Sequence, residues 1–182
     1  EPLRDRHPEA IEEAMTKYMP NIRGRIVNQV RFQRDWMILR HYAKQKGVKL
    51  FGDLPIFVAR DSVDVWVRPQ LFHHDVVAGV PPDYFSEEGQ RWGTMLYDWE
   101  AHREEDWTWW RMRMARTCAL FDIVRIDHFR GFDSAWAIPK DDENAINGTW
   151  TEGPSDEILQ ALVDVAGDTL IIAEDLGIIP ES

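Results

Sequence analysis

The sequence predicts an α/β fold built on a parallel sheet, and three observations lead there. Helix-like and strand-like patterns alternate three times along the chain. The strand-like runs at 48–51, 123–126 and 170–173 are short and mainly aliphatic, as strands covered by helices are. Each run leads into an acid: Asp53, Asp127 and Glu174. Parallel strands share one carboxyl-end face, so three separate stretches would deliver three carboxylates to one place.

The elements follow in order. Residues 8–18 read as a helix, punctuated by Pro20 and Asn21. A second helix is expected over 22–46, because Ile22, Ile26, Val30, Met37 and Ala43 share a stripe. Lys44 and Lys46 suit its last turn and Gly47 its stop. The first strand is expected at 48–51, with Asp53 just past its end. From Ile56 to about Glu100 the chain reads as a long loop insertion, broken by Pro69, Gly79, Pro81, Pro82, Gly89 and Gly93. Loops of that length are usually functional.

A helix over 106–120 follows, with Trp107, Trp109 and Trp110 expected in the core. Residues 123–127 read as an interior strand. A second loop, 132–154, is rich in Asp, Asn and Gly. Ser155 suits a helix N-cap, Leu159, Leu162, Val163 and Ala166 the buried stripe, and Gly167 the end. The whole of 1–182 is expected to be one partial catalytic domain.

Composition narrows the partners. With 44% hydrophobic and 29% charged residues the chain is globular. A net charge of −11 disfavours nucleic acid and anionic membrane, whereas a neutral ligand is indifferent to it. Nine tryptophans suit stacking on sugar rings, and suit a core equally. Cys118 is the only cysteine, so no internal disulfide can form and a reducing, cytoplasmic setting is expected. No apolar run approaches the roughly 20 residues of a membrane span. The chain opens on Glu1 and stops at Ser182, soon after its third acid, which suggests a piece of a longer polypeptide.

The charged residues carry the chemistry. Arg125 and Asp127 are two apart, so on a strand they point to one side. An isolated Arg-x-Asp would more often be a structural ion pair. Here the guanidinium is expected to keep Asp127 ionised, while Glu174, with no basic neighbour and four apolar residues before it, is expected to hold its proton longer. One ionised and one protonated carboxyl suit a retaining displacement at a glycosidic bond, with Asp127 as nucleophile and Glu174 as acid/base. That chemistry calls for no cofactor and no metal. His73, His74 and Asp75 lack a further ligand at metal spacing and read as a solvated loop.

Five motifs occur in order: Gly52-Asp-Leu-Pro-Ile-Phe57, Val80-Pro-Pro-Asp-Tyr-Phe-Ser86, Gly89-Gln-Arg-Trp-Gly93, Arg125-Ile-Asp-His-Phe-Arg-Gly131 and Ala173-Glu-Asp-Leu-Gly177. Together they resemble the 4-α-glucanotransferases, the amylomaltase or disproportionating-enzyme family related to the α-amylases. The resemblance implies a (β/α)8 TIM barrel whose third to fifth strands lie here. It implies transfer of α-1,4-glucan segments between maltooligosaccharide donor and acceptor, in a cytoplasm or plastid. Asp127 would carry the covalent β-glucosyl group and Glu174 act as acid/base. Arg125 and His128 would hold the sugar, with Asp53 in support. Tyr84 and Phe85 would form a platform beside the acceptor, although they read equally well as anchors of their loop. Trp92 would line the glucan groove.

Two features depart from that family. Its third acid, after a histidine on a later strand, has no counterpart before Ser182, and residues 72–77 run into Gly79 with fewer turn residues than usual. Two other readings remain: an α-amylase-type hydrolase using the same acids, and a non-catalytic glucan-binding piece.

Overall fold

A computed structural model describes residues 1–175, which fall into two compact units, one of them Glu1–Leu50 and the other beginning at Phe51. In the first unit a single helix, α1 (Pro8–Gln45), runs for 38 residues. The break expected at Pro20 does not occur: Pro20 lies inside the helix. A proline takes away one N–H donor and crowds the preceding turn, and a long helix absorbs that loss through the turns on either side. Lys46 N–H donates to the carbonyls of Tyr42 and Ala43, and Gly47, at φ +69°, supplies the left-handed residue that stops α1.

The second unit is built on three parallel strands in the order β1 (Phe51–Pro55), β6 (Ile123–Asp127), β9 (Leu170–Ala173). β6 is the interior strand, as its aliphatic run predicts. β1 begins later than expected, so Asp53 lies within the strand and not past its end. The cause is the alternation of burial: Gly52 and Leu54 face the core while Phe51 and Asp53 face away. Gly52 has no substitute here, since a Cβ on it would fall 2.2 Å from the Phe121 ring.

Two helices cover the buried face. These are α4 (Thr108–Leu120) and α5 (Asp156–Ala166), whose Trp110, Met114, Ile158 and Leu162 share one core with Leu54, Val124 and Ile126. Trp107, Trp109 and Trp110 are all buried, as expected. The α5 stripe is rotated from the expected one: Ile158 and Ala161 are buried and Val163 is exposed. Ser155 occupies the N-cap position, but its hydroxyl makes no capping bond; Gly167 ends the helix at φ +55°.

Both stretches expected as loops contain regular structure. The first holds β2 (Val58–Ala59), α2 (Val63–Val67), β3 (Val76–Val80), β4 (Gln90–Arg91), β5 (Thr94–Met95) and the start of α3 (Trp99–Glu104). The second holds β7 (Ser134–Pro139) and β8 (Thr149–Glu152). β4, β3, β7 and β8 form an antiparallel sheet in that order. Its central pairing is distant in sequence, Ala78 with Ala137, so no local pattern announces the sheet as a whole. Gly79 lets β4 close on β3: a Cβ there would sit 2.1 Å from the Gln90 carbonyl oxygen.

Candidate active site

The site begins with strand parity. Asp53 pairs with Arg125 across β1 and β6, and Arg125 pairs with Ile172 across β6 and β9. Asp127 and Glu174, each two residues farther on, therefore join them on one face. The Glu174 N–H donates to the Ile126 carbonyl at 3.1 Å and so extends the ladder past the end of β9.

Arg125 gathers all three acids. Its Nη1 donates to Asp53 Oδ1 at 2.7 Å, and its Nη2 to Asp127 Oδ1 at 2.7 Å. The same Nη2 also donates to Glu174 Oε1. Two oxygens bonded to one nitrogen lie no more than about 6 Å apart. Retaining glycosidases hold their two carboxyls about 5–5.5 Å apart.

The second Glu174 oxygen accepts the His128 N–H at 2.6 Å. His128 makes that possible by adopting a left-handed backbone, φ 53° and ψ 48°, directly after β6. Such a conformation is uncommon for a residue with a Cβ and turns the chain sharply at the strand end. Gly131 N–H donates back to the His128 carbonyl at 2.9 Å and closes the turn.

The electrostatics reverse the expected order of the two acids. Burial raises the Asp127 carboxyl above its ordinary range, the negative Glu174 raises it further, and Arg125 offsets only part. Burial pushes Glu174 up as well, but the His128 N–H and the Arg125 guanidinium outweigh it, and the net direction is down. The reason is pairing: the strand register brings Glu174 the arginine that its sequence neighbours lack. The Glu174 side chain is also the more enclosed, 13% exposed against 41% for Asp127. The His128 imidazole is lowered by burial and by Arg130, against the pull of Glu174.

A cavity of about 650 Å³ opens over this pair, lined by Asp127, His128 and Glu174. Asp53 and Arg125 are not in its lining; they brace the acids from beside it. Tyr84, Phe85 and Trp92 do line it. Tyr84 and Phe85 are 96% and 92% exposed, which rules out the reading of them as core anchors. Their loop is shaped instead by Asp83, whose Oδ1 accepts the N–H groups of Phe85 and Ser86, both at 2.8 Å. Trp92 packs edge-to-face on His128, ring centres 4.7 Å apart.

Among the polar and aromatic side chains of the lining, Asp83, Gln90, Arg130 and Trp150 were not expected from the sequence. The first three sit inside the quoted motifs, which was a usable signal; Trp150 lies on the unannounced β8. His73, His74 and Asp75 are exposed, with His74 Nε2 at 2.8 Å from the Pro69 carbonyl. Among the described residues no three His, Cys, Asp or Glu gather as a metal site. Leu176 and Gly177, the end of the fifth motif, lie outside the described residues.

Paired carboxyls under an aromatic-rimmed cavity can perform a displacement at an acetal carbon. The profile of a family described as 4-alpha-glucanotransferase matches residues 1–182. A 4-alpha-glucanotransferase of Thermus thermophilus is 43% identical, covering 98% of this chain and 37% of its own length. The chloroplastic/amyloplastic 4-alpha-glucanotransferase of Solanum tuberosum is 44% identical over all of this chain and 32% of its own. Among solved structures, an amylomaltase from Streptococcus agalactiae in complex with acarbose superposes with a TM-score of 0.94 at 39% identity, covering 99% of this chain and 38% of its own. The amylomaltase of Corynebacterium glutamicum, at 21% identity and TM-score 0.77, shares the fold over 81% of this chain and 21% of its own. The chain thus spans about a third of the length of the curated relatives it matches.

Proposed function

Because the chain belongs to the 4-alpha-glucanotransferase family, we propose that the full-length protein moves α-1,4-glucan segments from one maltooligosaccharide to another. One observation carries this reading: Asp127 and Glu174 meet on a single Arg125 nitrogen beneath an aromatic-rimmed cavity. The acarbose-bound relative supports an oligosaccharide in that cavity.

The geometry supports a retaining displacement. Asp127 attacks the sugar carbon as Glu174 gives its proton to the departing glycosidic oxygen, leaving a β-glucosyl ester on Asp127. A hydroxyl of the acceptor glucan then loses its proton to Glu174 and displaces Asp127, restoring the α-linkage. The route needs one proton on the pair, held by Glu174 at the moment of cleavage. Asp127 must be ionised to attack, so the proton is assigned to Glu174 in the sugar complex, although in the unliganded pair Asp127 is raised and Glu174 lowered and the two titrate together. Tyr84 and Phe85 favour transfer by occupying with sugar the space from which water would attack. Arg125, His128 and Asp53 hold the reacting groups in register, and Trp92 backs His128.

The chain supplies three strands of the catalytic barrel as one part of that domain. We place the protein in a cytoplasm or plastid, the latter supported by the name of the potato relative. No helix among the described residues is long and apolar enough to cross a membrane.

Incubating the full-length protein with maltotriose tests the reading. Longer oligosaccharides appearing with glucose mark transfer; exclusively shorter products would mark the hydrolase. Azide added to Asp127→Gly is expected to yield a β-glucosyl azide, and the same product from Glu174→Gly alone would exchange the two roles.

A further inference from the structure

One wall of the cavity plays no part in the chemistry above. Trp150, on β8, is 45% exposed and lines the cavity. It pairs across the sheet with Trp136, their rings meeting edge-to-face at 5.2 Å. Trp136 is itself held by a bond from its Nε1 to the Ala145 carbonyl at 2.9 Å. The Arg130 guanidinium lies 4.3 Å from the centre of the Trp150 ring. An exposed indole fixed from two directions binds a ligand with little loss of side-chain freedom.

Arg130 adds unspent hydrogen-bonding capacity. Of the five N–H donors of a guanidinium, it commits one among the described residues, Nη2 to Ser134 Oγ at 3.0 Å. Its Nε is buried with no partner. Its Nη1 bonds to no described residue, which leaves that nitrogen to donate to a ligand hydroxyl. Arg125 differs, because its donors are taken by carboxylates. The ligand that fits is neutral: Asp83, Asp127 and Glu174 line the same cavity and would repel an anion.

We propose that Trp150 and Arg130 form a glucose-binding subsite on the β8 wall, the indole stacking one sugar unit and the guanidinium donating to its hydroxyls. The subsite lies apart in sequence from the Tyr84–Phe85 loop and selects for longer glucans. This inference rests on the glucan reading above.

Titration calorimetry with the full-length protein carrying Glu174→Gln, which holds turnover off, tests it. Trp150→Ala and Arg130→Gln are each expected to weaken maltoheptaose binding roughly tenfold. Maltose should lose less, and Trp150→Phe should recover most of the affinity. An equal loss at every chain length, or no loss, would overturn the subsite; Arg130→Gln decides the matter should Trp150→Ala not fold. If the unaltered protein transfers no glucan yet these variants weaken maltoheptaose selectively, the transferase reading fails and the subsite stands. If transfer is present and binding is untouched, the subsite fails alone. Absence of any maltoheptaose binding would overturn both.

Discussion

At the scale of single residues, Arg125 decides how the two acids behave. The spacing of Arg125 and Asp127 was legible, and so was their common face. The share of that guanidinium taken by Glu174 was not, because it depends on the β6–β9 register. It follows that Glu174→Gln removes a negative neighbour from Asp127 and should lower the Asp127 pKa, read by carbon NMR titration. His102 supplies a second pH effect. It is fully buried against Phe72 and Tyr97, and burial lowers its pKa from 6.5 to about 4. The unfolded chain therefore takes up this proton first, and stability falls as pH drops from 6.5 towards 4. Melting temperature should decline across that window, and His102→Leu should flatten the decline.

At the scale of elements, aliphatic runs revealed the parallel strands and the helices that cover them. The antiparallel sheet stayed hidden because its strands are short, β3 and β7 carry Gly79 and Pro139, and the central β3–β7 pairing joins stretches far apart in the chain. Pro20 reads in the sequence as a helix break, yet α1 runs through it because the turns on either side hold. Gly79 ties the hidden sheet to function, since β4 and β3 bracket the loop that bears Tyr84 and Phe85. Gly79→Ala would drive a methyl group into the Gln90 carbonyl and part these strands. Overpacking of this kind costs about 1–3 kcal/mol. Thermal melting should fall accordingly, and the Michaelis constant for maltoheptaose should rise with it.

At the scale of the molecule, three acids from three stretches arrive on one face, as the shared carboxyl end of parallel strands leads one to expect, although Asp53 stands inside its strand. The cavity wall on β8 could not be expected in this way, since it depends on a sheet with no local signature. A net charge of −11 has no purchase on an uncharged sugar. Raising sodium chloride from low to high concentration should thus change glucan affinity less than about twofold, by calorimetry. The same molecule lifts Tyr84 and Phe85 almost wholly into water on a turn shaped by Asp83. Two bare rings at a loop tip are adhesive towards any oily surface, including another copy of themselves. Saccharide laid over them would act as a dispersant, so concentrated solutions should cloud sooner without sugar than with it.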